Sequence, residues 1–339
     1  MTTLADVAEL VRAPAALSVP GDVVAGAAAA GALSPRTPAL AGASVLLYWA
    51  GMAANDWADR RLDAVERPER PIPSGRVTPA AALGLAAGLT AAGVGLAAAV
   101  GGRRAAALAV PLAASIWGYD LLAKNTAAGP AVMAACRGLD VLLGASGGNL
   151  ARALPSAATV AAHTWTVTTL SRREVSGADA ALPMRTLVGT ALVAASAAVA
   201  VPGARRADVP GGRRADVPGA RRADVPGGRC ADVSADEAGG ADERAVVSAD
   251  RGRSRPAGVA AALPVLLAGW YAARYGAAQA QVVRDPSAGK VRAAVGAGIT
   301  GLPALQGALT ARGGAGLLGL AVAAAAPLGR RLARKVSPT

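Results

Sequence analysis

Long apolar runs broken by short polar loops cover most of the chain, at roughly 18–34, 39–56, 80–100, 104–122, 127–149, 154–170, 186–201, 257–275, 292–311 and 314–329. Several fall short of the ~20 residues that a bilayer core demands. The pattern therefore predicts an all-α fold, a polytopic membrane helical bundle of about nine transmembrane helices, with eight to ten as the range. Ahead of the first run, Leu4, Val7, Leu10 and Val11 fall at helical spacing and predict a short amphipathic helix on the membrane surface. Asp6 and Glu9 precede Arg12 there, which does not fit the basic start of a signal peptide.

Residues 202–256 break the pattern. Four octapeptides, PGARRADV, PGGRRADV, PGARRADV and PGGRCADV, run from Pro202 to Val233, followed by a polar stretch to Pro256. A Pro-Gly pair every eight residues cannot continue a helix, and one valine per unit offers no core. The expected organisation is a single transmembrane domain formed by 1–201 and 257–339, with 202–256 as a disordered low-complexity loop.

Composition supports the membrane reading: 53% of residues are hydrophobic and 17% charged. The net charge of +13 suggests nucleic acid at first sight. The basic residues, however, sit in short loops between apolar runs, as a positive-inside bias requires, and aromatics at 3% are too few for stacking platforms. No nucleic-acid partner is expected, and nothing marks a protein partner. By the same bias, the 57–79 loop with its five arginines is cytoplasmic, while Arg103, Arg104 and Arg152 face out. Cys136 in an apolar run and Cys230 in a polar loop make neither a disulfide framework nor a zinc site.

The chemistry gathers where the second apolar run meets that loop. Asn55, Asp59 and Asp63 recur at i, i+4, i+8 and line one helix face, with Asp56 beside them. Like charges at this spacing repel by a few tenths of a kcal/mol per pair. A stripe of hard oxygen donors suits Mg²⁺, which commonly holds one or two carboxylates, waters and a substrate phosphate. Arg67 and Arg70 follow, and arginine with Mg²⁺ on one diphosphate is a recurrent arrangement. Pro68, Pro71, Pro73 and Gly75 end the helix and fix a loop before the next span near Pro79. These residues predict a metal–diphosphate site at a membrane edge.

The run N-D-x-x-D-x-x-x-D followed by R, R-P and P-S-G resembles the first aspartate-rich motif of the UbiA superfamily of intramembrane prenyltransferases, and most closely its EboC-like branch. Asp63 to Arg67 and Arg67 to Arg70 are each one residue shorter than the commonest family pattern. The resemblance implies catalytic and metal roles for Asp56, Asp59 and Asp63 with Asn55, Mg²⁺ as cofactor, and a prenyl diphosphate held by Arg67 and Arg70. It also implies that Tyr119-x-x-x-x-Lys124 closes the fourth span, with Lys124 facing the diphosphate. The second motif of the family, D-x-x-D-x-x-G-D, corresponds to Ser171–Asp179. Glu174 and Gly177 keep their places, the outer aspartates are Ser171 and Ala178, and Asp179 is displaced by one. Glu174 with Asp179 is the remaining set for a second Mg²⁺, and Arg172 or Arg173 could supply that positive charge directly.

Four further features need a place. Arg137 and Asp140 are three apart in apolar surroundings, where a charge costs on the order of 2.5–3.5 kcal/mol; they form either a structural bridge or part of the diphosphate pocket. His163 reads as a satisfied interior residue, Asn149 as a helix cap, and Trp117, Trp165, Trp270, Tyr271 and Tyr275 as interface anchors, some of them able to wall a prenyl chain. The function that follows is Mg²⁺-dependent transfer of a prenyl group from an allylic prenyl diphosphate to a lipophilic acceptor in the lipid bilayer, with the site on the cytoplasmic side. The alternative is a non-catalytic isoprenoid-binding or transport-associated protein that keeps the fold.

Overall fold

The computed structural model describes residues 2–13, 18–179, 181–199 and 257–325. The octapeptide segment and the expectation of disorder for it lie outside the described residues. What is described is all helical: α1 (Leu4–Leu10), α2 (Val19–Ala30), α3 (Thr37–Glu66), α4 (Pro79–Gly118), α5 (Gly129–Gly144), α6 (Leu150–Ser171), α7 (Ala181–Ala198), α8 (Ala257–Arg284), α9 (Ala288–Arg312) and α10 (Gly316–Ala325). Each predicted apolar segment carries a helix. Among the described residues, Thr37–Glu66, Pro79–Ala123 and Ala181–Ala198 are long and apolar enough to cross a membrane.

The chain passes 79–118 as an αα-hairpin. Gly102 takes φ 66° and ψ −160°, a conformation open to glycine, and the chain reverses there. Trp117 Nε1 donates to Thr90 Oγ1 at 3.0 Å, which places the two halves side by side and antiparallel. Both halves pack on α3. Gly93 of the first half lies against Leu47, and Ile116 of the second lies against Gly51. The first half thus runs antiparallel to α3 and the second parallel to it.

Small residues set the remaining contacts. A Cβ on Gly26 of α2 would collide with the Val141 carbonyl of α5, and one on Gly144 would collide with that of Val23. These reciprocal positions bring the α2 and α5 backbones into direct contact, the close approach by which helices associate in lipid. Tyr271 and Tyr275 of α8 are fully buried against α6 and α9, not at an interface. His163 explains this: its Nδ1 pairs with Tyr271 Oη at 2.8 Å, and the Tyr275 ring meets it edge-on. A histidine buried in apolar surroundings needs a polar partner, and the tyrosines turn inward to supply one. Trp270 stays partly exposed beside Arg274, and Asn149 caps α6 through Arg152 N.

Helix α1 docks on the end of α3 that carries the acids. Leu10 is fully buried with Ala53, Ala54, Ile72 and Val77. Thr3 and Asp6 form a reciprocal capping box, and Arg76 donates to Asp6 Oδ1 and Glu9 Oε2, each at 2.7 Å. The Thr3 backbone and hydroxyl, then Arg76, hold the Asp6 carboxyl down at about 2, against 3.8 for an unperturbed aspartate. Because the folded value is the lower one, this contribution to docking is complete above pH 3.8 and is lost as pH falls toward 2. Hydrogen exchange over residues 4–11 should rise through that window beyond its intrinsic pH dependence. In Arg76→Ala it should already be raised at neutral pH; unchanged protection in that variant would show that Leu10 docks α1 alone.

Candidate active site

The last three turns of α3 carry Asn55, Asp56, Asp59 and Asp63, and the helix continues unbroken to Glu66. On a helix of 3.6 residues per turn, Asn55 and Asp59 lie about 40° apart and Asp56 and Asp63 only about 20° apart. The structure divides the stripe along those lines into two pairs. Lys124 Nζ donates to Asn55 Oδ1 at 3.1 Å and to Asp59 Oδ1 at 2.5 Å. Arg70 Nη1 meets Asp63 Oδ2 at 2.6 Å and Asp56 Oδ1 at 3.4 Å. The single face of Asn55, Asp59 and Asp63 expected from the i, i+4, i+8 spacing therefore separates, because a further turn carries Asp63 round toward Asp56.

Asp56 has a second partner. Arg12, just beyond α1, places Nη2 2.6 Å from Asp56 Oδ1. Arg12 adopts φ 46°, a left-handed conformation that costs a non-glycine residue about 1–2 kcal/mol. The docking of α1 and the ion pair to a buried carboxylate hold it there. Arg67 remains largely exposed, 4.0 Å from Asp63. The loop after α3 is rigid: Val77 N donates to the Pro71 carbonyl, Ser74 Oγ donates to the Arg70 carbonyl, and Gly75 takes φ 75°. That loop is what aims Arg70 back at the helix it has just left.

Lys124 reaches the acids by a local departure from α-helix. Tyr119–Ala123 is a π-turn, closed by Lys124 N donating to the Tyr119 carbonyl at 2.9 Å. The five-residue spacing from Tyr119 to Lys124 is the span of that bond. Single π-turns of this kind concentrate at functional sites. Above the acids a narrow cleft opens between α3, the second half of α4 and α5, lined by Tyr48, Met52, Ile116, Tyr119, Met133 and Cys136. It is apolar apart from Asp120, which the sequence does not mark as part of the site. Asp120 is buried, against the α3 backbone at Gly51 and four residues before Lys124.

The second motif is built differently from the first. Arg172 Nη1 donates to the Thr126 carbonyl, tying the end of α6 to the loop that follows Lys124. Arg173 is exposed. The Glu174 carbonyl accepts from Arg292 of α9 at 2.8 Å; burial raises the Glu174 carboxyl above its usual range, with Arg292 opposing. Asp179 Oδ1 accepts from Leu182 N at 2.8 Å and so caps α7. Asp179 thus uses its carboxylate to cap α7, whereas Glu174 is tied to α9 through its backbone carbonyl and not its carboxyl.

Arg137 pairs with an acid other than the expected Asp140. Its Nε lies 2.7 Å from Asp22 Oδ2 of α2, and its Nη2 donates to the Ser18 carbonyl. Asp140 bonds Ser44 Oγ instead. Asp22 also accepts from Gln306 of α9 at 2.6 Å. The three residues on three helices form a buried bridge, and the signal for it was the lone acid in an Ala- and Val-rich α2.

Among the described residues, no three His, Cys, Asp or Glu side chains converge as a metal site, so the set Asn55, Asp56, Asp59, Asp63 and Glu174 is not assembled as one centre. The donor chemistry of one part still suits magnesium. Asn55 and Asp59 direct two hard oxygens at one point, which the Lys124 ammonium takes here. A Mg²⁺ ion needs no more than one or two protein carboxylates when waters and phosphate oxygens complete its shell.

Known proteins share both sequence and fold with this one. The chain is 35% identical over 183 residues to the digeranylgeranylglyceryl phosphate synthase of Natronomonas pharaonis, 53% of this chain and 66% of that protein. It is 57% identical over 51 residues to the enzyme of the same name from Methanothrix thermoacetophila, 15% of this chain and 19% of that protein. These matches span from a fifth to just under two thirds of the relatives' own length. A solved structure described as digeranylgeranylglyceryl phosphate synthase in membranes superposes with a TM-score of 0.60 at 13% identity, over 93% of this chain and 99% of that one, and it shows a common fold. The UbiA prenyltransferase family matches residues 18–201, more than half of the chain, which contain α2 to α7, the acidic end of α3 and Lys124. The chain belongs to the UbiA prenyltransferase family.

Proposed function

We propose that this protein is a multi-pass membrane prenyltransferase that moves a prenyl group from an allylic prenyl diphosphate to a lipophilic acceptor, with its site at the cytoplasmic end of the bundle. The observation that carries the reading is the convergence of Asn55, Asp59 and Lys124 with Asp56, Asp63, Arg70 and Arg12 at the mouth of an apolar cleft. The names of the relatives support an acceptor that is a glyceryl phosphate already carrying one prenyl chain, whose free hydroxyl is the nucleophile. The shortened spacing from Asp63 to Arg70 supports a divergent branch of the family, the EboC-like one.

The residues share the work as follows. Asn55 and Asp59 would hold Mg²⁺, and Asp56 and Asp63 complete the acidic end. Bound Mg²⁺ supplies Lewis-acid stabilisation of the departing diphosphate. Lys124, Arg70 and Arg12 neutralise the acids in the free protein and turn to the phosphate oxygens when the donor binds. Each then exchanges a carboxylate partner for a phosphate partner, so no cation is left buried without a counter-charge. Arg67, exposed beside Asp63, would meet the diphosphate first. Arg172 and Arg173 contribute positive potential, and Tyr119 holds the turn that positions Lys124. Arg137 acts at a distance by fixing α2 against α5. The cleft keeps water from the allylic cation.

Removing the metal tests the reading. Membranes containing the protein, given geranylgeranyl diphosphate and geranylgeranylglyceryl phosphate, should form the diether with Mg²⁺. They should lose nearly all of that product with a chelator and regain it when Mg²⁺ is restored. The non-catalytic alternative draws on the altered second motif, where Asp179 is a helix cap and Glu174 is held through its carbonyl. It predicts donor binding with no product under any metal.

A further inference from the structure

Transfer to a hydroxyl leaves a proton to be removed, and the diphosphate-binding residues named above offer no free base. Asp56, Asp59 and Asp63 are each paired with arginine or lysine, and under the reading above they or Asn55 face the metal and the donor. Asp120 differs from them in three ways. It forms no ion pair and no side-chain hydrogen bond among the described residues. It is buried. It also lies on the wall of the cleft and not at its charged mouth.

The register fixes its depth. The second half of α4 runs parallel to α3, with Ile116 against Gly51 and Lys124 against Asn55 and Asp59. Asp120 falls one turn before Lys124 and so sits level with the stretch from Gly51 to Asn55. A Cβ built on Gly51 would stand 3.2 Å from Asp120 Oδ2, so the carboxylate lies close against the α3 backbone there. A donor with its diphosphate at Lys124 and its chain in the cleft has its first carbon at this level, where head meets chain.

We propose that Asp120 is the base that takes the hydroxyl proton of the acceptor during prenyl transfer, an inference that rests on the function proposed above. The bond between the first prenyl carbon and the diphosphate oxygen breaks, and the diphosphate leaves with the electron pair. A lone pair of the acceptor hydroxyl forms the new carbon–oxygen bond. The O–H proton passes to a carboxylate oxygen of Asp120. The π-turn serves this arrangement, because it presents Lys124 to the leaving group and Asp120 to the nucleophile from adjacent turns.

The test separates ionisation of the donor from transfer to the acceptor. Purified full-length protein in lipid nanodiscs receives Mg²⁺ and geranylgeranyl diphosphate, with or without geranylgeranylglyceryl phosphate. Asp120→Asn should lower diether formation by about 10²-fold or more, the ordinary contribution of a general base. Diphosphate release without acceptor should stay within about threefold of wild type, which also shows that the variant folds. Asp120→Glu should recover part of the transfer. If wild type forms diether and Asp120→Asn matches it, the base assignment alone is wrong. If Asp120→Asn loses acceptor-free release together with transfer, Asp120 belongs to the diphosphate or metal machinery and the proposal is likewise overturned. If wild type releases diphosphate but forms no diether, the acceptor reading falls and this proposal with it.

Discussion

Asp59→Ala should lower Mg²⁺-dependent diphosphate release by about 10²–10³-fold, the range for losing one preorganised group that stabilises a departing anion. Among the described residues Asp59 is the one carboxylate in an ion pair with Lys124, and it is one of two oxygen donors aimed at the same point. Its removal leaves Asn55, a neutral amide and a weak metal ligand alone, and frees Lys124 from its ion pair. The loss should therefore appear in the metal dependence, as a higher Mg²⁺ concentration for half-maximal rate, and not only in kcat. Asp59→Asn keeps the shape and should lose nearly as much, since the charge is what the metal requires. The assay is diphosphate released from a panel of allylic diphosphates by membranes holding equal amounts of protein. Equal and negligible release from wild type and variant would remove the enzyme reading and leave the isoprenoid-binding one.

Arg137→Met should cost about 3–5 kcal/mol of stability, because it strands a buried carboxylate without its cation. Asp22 is wholly buried and Asp140, also wholly buried, keeps only Ser44, so deleting the guanidinium leaves two acids and no counter-charge inside the bundle. The thermal midpoint in detergent should fall by many degrees, with α2 separating from α5. Neutralising both partners of the ion pair, Asp22→Asn with Arg137→Met, should recover a large part of the loss, since Asp140, held by Ser44, is then the one acid left without a counter-charge at this place. This double variant distinguishes bridge from pocket. A diphosphate-binding role predicts a stable Arg137→Met protein with a raised KM for the donor, and no rescue by Asp22→Asn.

Both results bear on how the site is supported. The acids of α3 lie at the end of a helix that packs on the α4 hairpin and on α2, and Arg137 locks α2 against α5. Activity then depends on groups that never meet substrate, since a shift of about 1 Å in a catalytic group can cost 10²-fold in rate. The docking of α1 is part of the same support, for it alone brings Arg12 to Asp56.

The sequence alone determined what depends on neighbours in the chain. The acidic end of α3, the proline-fixed loop after it, the break near Gly102 and the cap at Asn149 all rest on local geometry, and periodicity reads local geometry directly; the reach from Tyr119 to Lys124 came instead from the family resemblance. Tertiary structure decided the partners. Arg137 chose Asp22 over the nearby Asp140, Tyr271 and Tyr275 turned inward to His163, and Asp179 became a cap. Arg12 and Asp120 joined the site with little in their local pattern to mark them. The physical reason is that periodicity states which residues share a helix face, whereas a low-dielectric interior makes each buried charge or polar group seek the best-placed partner on any helix. In an Ala- and Gly-rich chain, small side chains pack against lipid and protein alike, so the faces carry little information about which helix lies opposite. Only the assembled bundle settles that.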